Sequence, residues 1–422
     1  MSNSNERPRG LRRIQNIELS EDKAKLRFVL VIVFIGLAML AFGIFISGLL
    51  TKNEGWYTIT AETEYINCGS DFVFNYYVGS TEKDNTAEYK EVKKLYGELT
   101  VKGYRLFNRY DEFVGVNNVC YINNHPNEII EIDEHLYKAF EKIIANENRY
   151  LYMGALHSEY SALFFGNVES IFVEDKDPKI NEEYASYFKK LADYAKDKTA
   201  INLELYGENK VKLVVSEEYL NYAKENEITV FIDFFRTKNA FIVDMLAEEL
   251  NKAGFKKGNL TSCEGYIRNT DESGVNYSLN LFNKKETLVY NAAKMNYSKP
   301  ISIITLRSYS LSETDSFDFL FCTDGRVITP YVDINDGLYK TATSDLYVYS
   351  SNVGCADLLI KTLPYYISDS FEQETVFAMR SEGIFSICFD NYEIILNDSE
   401  ISLDDLYSDE KITYTKKYII YK

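Results

Sequence analysis

Histidine is nearly missing from this chain: His125, His135 and His157 are the only three, and none follows residue 157. Imidazole chemistry would have to come from that first section, where His157 in GALHSEYS is the least ordinary candidate. A lone histidine is more often a packed or surface residue. The six cysteines (Cys68, Cys120, Cys263, Cys322, Cys355, Cys388) include no close pair, which excludes a zinc-ligand spacing and a CxxC redox motif. They are expected to be isolated buried thiols, although pairing outside the cell stays open. No GxSxG, GxxxxGK or HExxH occurs, so the chain has no nucleophile elbow, phosphate-cradling loop or zincin helix. Prolines number six, and no Pro/Gly/Ser-rich stretch divides the chain, which points to one large domain. Carboxylates pose the opposite problem: among 64 Asp and Glu, nothing singles out a glycosidase-type pair.

Long apolar runs are also absent, with one exception. Residues 28–50 carry no charge, no proline and Ser47 as the one polar side chain, enough for a helix to cross a hydrocarbon core. Seven basic residues precede it against four acidic ones, a surplus that favours retention of the N-terminus in the cytoplasm. The run and its basic flank are both longer than in a cleaved signal peptide. With no cysteine before Cys68, lipoprotein processing is excluded. The expected layout is a basic cytoplasmic tail at 1–27, a single transmembrane signal anchor at 28–50, a tether at 51–64 and an extracytoplasmic domain at 65–422. The formal net charge of −18 argues against nucleic acid as a partner; the membrane and an extracytoplasmic protein are the partners expected.

Within the domain, aromatic and β-branched content predicts strands at 70–78, 210–215, 228–234, 301–306, 317–321, 345–350 and 385–389. Apolar spacing predicts helices at 135–145, with Asp133 or Glu134 near the start, at 183–198, at 239–253 ending on Gly254, and at 356–363. Helices and strands alternate without the βαβ rhythm of a doubly wound sheet, so the fold class expected is α+β. The 35 tyrosines read as core packing.

Four blocks then carry a resemblance. The first is Cys68-Gly69-Ser70 before a strand, with LFNRYDEFVGVNNVCYIN at 106–123. The second, at 232–244, reads IDFFRTKNAFIVD and leads into an amphipathic helix and a glycine turn. The third is EGYIR at 264–268. The fourth joins Asp324-Gly325-Arg326 to PYVDINDG at 330–337, with ADLLIK following at 356–361. Together, over roughly residues 65–395, they resemble the ApbE family, the FAD:protein FMN transferases, which are commonly membrane-attached and face away from the cytoplasm. The family's patterns at the last three blocks are IDLGGIAKGYAVD, GGDIR, DGK with HIIDPRTG, and ADALAT.

The resemblance implies an ApbE-like fold, FAD contacts at Asp233, Asn239, Gly265, Arg268 and Gly337, catalytic roles for Asp333 and Asp244, and Mg²⁺ at Asp357. It also marks what has changed. Phe235, Arg236 and Ala240 stand where the family has glycines, Asn239 where it has lysine, Tyr266 where it has an acid, and Pro330 where it has histidine. Lys361 replaces the threonine that helps hold the metal. Glycines allow backbone N–H groups to approach a pyrophosphate, so Phe235 and Arg236 imply a narrowed or closed FAD site. Phosphoryl transfer needs a divalent ion to offset charge, and Lys361 beside Asp357 on one helix face implies an ion pair in its place. The expectation is a degenerate, non-catalytic binding or scaffold domain without FAD or Mg²⁺. An active transferase attaching FMN to Thr or Ser of a partner is the alternative, and an unrelated cell-surface domain the second.

Overall fold

The computed structural model describes residues 28–30, 32–40, 42, 51–61, 68–69, 71–166, 169–311 and 318–421. The chain divides into two units, Met1–Asn53 and Glu54–Lys422. In the first, the described residues between 28 and 42 are helical, and large apolar side chains such as Phe28, Phe34 and Met39 are exposed. Among the described residues no helix is long and apolar enough to cross a membrane. The tail expected at 1–27, and the rest of the run expected at 28–50, lie outside the described residues.

The second unit is built on a nine-stranded sheet whose spatial order follows the sequence: β1 (Gly55–Ile59), β2 (Phe72–Val78), β3 (Gly258–Ser262), β4 (Ile267–Asn269), β5 (Ile301–Arg307), β6 (Asp345–Ser350), β7 (Phe385–Asp390), β8 (Glu393–Leu396) and β9 (Thr415–Tyr418). Every neighbouring pair is antiparallel except β8 and β9, which run parallel. β1 takes in part of the stretch expected as a tether.

Side chains alternate between the two faces of a strand, and here both faces are buried. From β5 and β6, Ile304, Leu306, Leu346 and Val348 join the larger core. Ile301, Ile303, Tyr347 and Tyr349 join the other. The second core is closed by a three-stranded sheet, Tyr277–Lys285, Leu288–Tyr297 and Ser402–Asp404, whose long hairpin has no counterpart in the sequence-based expectation. Full burial contributes about 1.5–3 kcal/mol per large aliphatic side chain, which makes these two central strands the spine of the domain.

Helices cover the larger core: α1 (Asn85–Phe107), α2 (Glu134–Ala145), α3 (Gly154–Phe164), α4 (Glu182–Lys196), α5 (Thr237–Lys252) and α6 (Cys355–Tyr366). Asp133 caps α2, accepting from the His135 N–H at 2.8 Å, as its position suggests. α5 packs against both α1 and α6 and against β3 and β4. Its Ile242, Met245, Leu246 and Leu250 are buried as the spacing predicts, yet so are Ala240, Phe241, Val243 and Ala247, because this helix has neighbours on several sides.

Two strand expectations are corrected. Residues 228–234 form an extended segment outside any sheet. Part of its backbone is satisfied by a side chain instead: Asn123 Oδ1 accepts from the Phe231 and Ile232 N–H groups at 2.9 Å, and its amide donates to the Ile232 carbonyl, while the Asp233 N–H donates to the Leu151 carbonyl at 2.9 Å. At 317–321 only Leu320–Phe321 is a strand, paired with Val327–Ile328, and residue 317 lies outside the described residues.

Candidate functional site

The extended segment leads directly into the start of α5 and forms one wall of a cleft. Asp233 anchors the turn, its Oδ1 accepting from the Phe235 N–H at 3.0 Å while its other oxygen pairs with Arg109. Phe235 then takes a left-handed conformation, φ +44°. A side chain there is strained by about 1–2 kcal/mol, which glycine avoids. The backbone thus keeps a glycine shape without the glycine. The Phe235 ring does not point idly to solvent: it stacks on His157, with centroids 4.0 Å apart. Burial pushes His157 down to about 3, so the imidazole is neutral at physiological pH. That is far below the near-neutral value suited to a general base, and the catalytic reading of His157 is not supported.

Arg236 turns inward and is 8% exposed. It meets Asp318 at 2.6 Å and Glu264 at 3.4 Å, and its guanidinium lies 5.4 Å from the centre of the Tyr331 ring. Tyr266, at the position of the family's acid, donates its hydroxyl to the Arg236 carbonyl at 3.0 Å. Burial pushes the Glu264 carboxyl up to about 7, against the opposing pull of Arg236.

Two adjoining cavities of about 350 and 250 Å³ share Asp71, Arg236, Lys238, Asn239, Glu264 and Asp318. Each is at or below the small end of the roughly 300–1,000 Å³ usual for ligand pockets. Asn239, expected as a cofactor contact, does line both.

A second cluster gathers Asp244, Arg268 and the start of α6. Gly354 precedes that helix and offers no capping side chain. Asp244, from α5, does the work: its two oxygens accept from the Cys355 and Ala356 N–H groups, each at 2.9 Å. Arg268 Nε approaches the same carboxylate at 3.3 Å. The first turn of a helix leaves N–H donors without partners and carries partial positive charge, so this buried carboxylate is matched to it. Burial raises its pKa, and Arg268 and the two N–H groups oppose the rise. Two contacts of this carboxylate make it the cap of α6, and Arg268 supplies its counter-charge.

Asp357, expected at a metal, is paired with Lys142 of α2 at 2.7 Å. Lys361, expected as its partner, pairs instead with Glu382. The spacing of four residues allowed the contact but did not require it; a lysine from another helix reaches the aspartate first. Asp333 is likewise engaged: one oxygen accepts from the Asn335 N–H at 2.8 Å and the other faces Lys340 at 3.0 Å. Gly337, in the same turn at φ +75°, is a close approach in which an added Cβ would lie 2.6 Å from the Phe188 carbonyl. Gly265 sits against Thr305 and Arg307, beside the smaller cavity that both line.

The cysteines are free thiols, five buried and Cys263 exposed. Among the described residues, no group of three or more His, Cys, Asp or Glu is placed to hold a metal ion. With Asp357 held by an ammonium, this arrangement does not suit Mg²⁺. A pyrophosphate at Phe235 and Arg236 would meet the carboxylates of Glu264 and Asp318. Sequence reasoning missed Arg109, Lys142 and Asp318. Arg109 lies within the first block, but no spacing pointed to Lys142, 215 residues from its partner.

The sequence matches no protein-family model and no curated protein. Solved structures do match. An ApbE protein from Thermotoga maritima superposes with a TM-score of 0.54 at 13% identity, covering 83% of this chain and 97% of that one. The flavin transferase ApbE from Vibrio cholerae gives 0.51 at 10% identity, covering 84% and 98%. At such identities the likeness is one of fold, and the fold of this domain is ApbE-like, mixed α+β.

Proposed function

We propose that this chain is a membrane-anchored, extracytoplasmic domain of the ApbE fold that does not transfer flavin and acts as a binding or scaffold module. The observation that carries the reading is the buried Arg236, ion-paired with Asp318 and Glu264 where the transferase pattern has a glycine. A glycine there opens space for a phosphate and presents N–H donors to it. The arginine fills that space, and its charge is already spent on two carboxylates. Lys142 on Asp357 supplies a positive charge where phosphoryl transfer would use a divalent ion. Residues 28–50 serve as the anchor, with 1–27 in the cytoplasm.

The test is to incubate the full-length chain, purified in mild detergent, with FAD and Mg²⁺ and a Thr/Ser-containing acceptor protein. No AMP release, no flavin on the acceptor and no saturable Mg²⁺ binding are expected. Turnover would overturn the reading, and Mg²⁺ binding abolished by Asp357→Ala would overturn the ion-pair account. Protease added outside intact cells should digest the domain and leave residues 1–27 protected.

A further inference from the structure

On the side away from the helices, the nine-stranded sheet is covered unevenly. Among the described residues, no member of the second core comes from β1, β2 or β3, so the three-stranded sheet that closes that core leaves this end of the face open. Strand alternation sends Phe72, Phe74, Tyr76 and Val78 of β2 into the larger core. Val73, Asn75 and Tyr77 between them point the other way, and Val73 is 47% exposed. Trp56 of β1 stands opposite Tyr77, and Thr58 opposite Asn75, which puts both on the same open face. Trp56 is 41% exposed.

The side chains gathered around Trp56 are aromatic rings with polar tips. Its ring meets Tyr77 at 5.5 Å and Tyr277 at 6.0 Å, edge to face in both cases. Tyr77 donates its hydroxyl to Glu54 at 2.6 Å and Tyr277 donates to Asp271 at 2.7 Å. Lys257 sets its ammonium 3.6 Å from the centre of the Tyr77 ring, and Val275, two residues before Tyr277, adds exposed apolar surface. Tryptophan and tyrosine favour the membrane–water interface, where the ring leaves water while its polar tip stays among the headgroups. A lysine behaves likewise, with its stem on apolar surface and its ammonium outward.

The chain also keeps this face near lipid. Trp56 is six residues beyond Leu50, where the apolar run at 28–50 ends, and six residues of fully extended chain span at most about 22 Å. We infer that the open face of β1–β3 is a membrane-docking surface, with Trp56 seated at the level of the headgroups and Lys257 facing their phosphates. Such docking presupposes the reading of residues 28–50 as a membrane anchor. The lipid it suits is zwitterionic: a chain of net charge −18 is repelled by an anionic surface, so docking is strongest on phosphatidylcholine and weakens as phosphatidylserine is added.

Trp56 is the only tryptophan in the chain, so its fluorescence reports this face alone. The experiment places the full-length chain in phosphatidylcholine vesicles whose acyl chains carry bromine, a contact quencher, close to the headgroup. A Trp56 ring seated about 5–10 Å into the headgroup boundary should emit to the blue and lose roughly half its emission to the bromine. A second chain carries a Gly/Ser linker of about 20 residues between Asn53 and Glu54, which adds a root-mean-square reach of roughly 25 Å. Quenching that survives the linker shows that the face itself holds to lipid; quenching abolished by the linker comes from attachment alone and overturns the inference. Unquenched Trp56 in a chain that floats with the vesicles overturns it as well, and leaves the anchor standing. A chain that fails to float with the vesicles sinks the anchor reading and takes the docking with it, so the two failures are distinguishable.

Discussion

Asp244 is the residue at which a catalytic and a structural role can be told apart by stability alone. Truncation by Asp244→Ala removes both acceptors from the Cys355 and Ala356 N–H groups and the counter-charge from Arg268. Each orphaned N–H costs about 1–3 kcal/mol. Arg268 adds less, because its side chain is 21% exposed and water can take over part of the lost interaction. The total expected is roughly 3–5 kcal/mol, the range seen when one partner of a buried pair is removed. Asp244→Asn keeps one acceptor, loses the charge and turns an NH₂ toward one of the donors, so it should cost about half as much.

Urea unfolding of the full-length chain in detergent would report the loss as a fall in midpoint at constant slope. Hydrogen exchange at the amides of Cys355 and Ala356 would localise it, since the first turn of α6 should fray while the centre of the sheet stays protected. A change within about 0.5 kcal/mol, as for an ordinary surface site, would refute the capping argument. So would an Asn variant less stable than the Ala one.

Other perturbations separate the remaining ideas. Phe235→Gly relieves about 1–2 kcal/mol of left-handed strain but loses the ring stacked on His157, so the net loss measured by unfolding should be smaller than the roughly 3–5 kcal/mol typical of deleting a buried Phe. Gly337→Ala adds that strain to a clash with the Phe188 carbonyl and should cost roughly 2–4 kcal/mol. Gly325→Ala, also at positive φ but with nothing within 4 Å, should cost only the strain; equal losses would show that the close approach is unimportant. Glu264 has a folded pKa raised from 4.5 to about 7, so its contribution to stability is fully present below pH 4.5 and is lost as pH rises through 7. Between pH 6.5 and 8 the chain should lose roughly 1 kcal/mol from this group, a slope absent in Glu264→Gln and measurable by urea midpoints at each pH.

Several parts of the fold were legible because their causes are local. The period of Leu136, Phe140 and Ile143, with Asp133 ahead of them, specifies α2 and its cap, and the structure places both there. The stretches at 301–306 and 345–350 read as strands from their β-branched and aromatic content, and both are central in the sheet. The segment at 228–234 has equally good strand composition but is held by the side chain of Asn123, more than a hundred residues earlier. Composition scores the segment; it carries no information about which partner will satisfy its backbone.

The candidate site divides along the same line. By itself the sequence determined that histidine chemistry is nearly excluded, that glycines of the transferase pattern are replaced at 235 and 236, and that acids persist at 233, 244, 333 and 357. Each is a statement about residue identity at a position. Only the tertiary structure decided which charges meet: Asp357 with Lys142 and not Lys361, Arg236 with Asp318 across 82 residues, and Asp244 with the N–H groups of a separate helix. Ion pairs and caps depend on distances of a few ångströms in space. Those distances are set by how α2, α5 and α6 pack on the sheet, and no spacing along the chain encodes them.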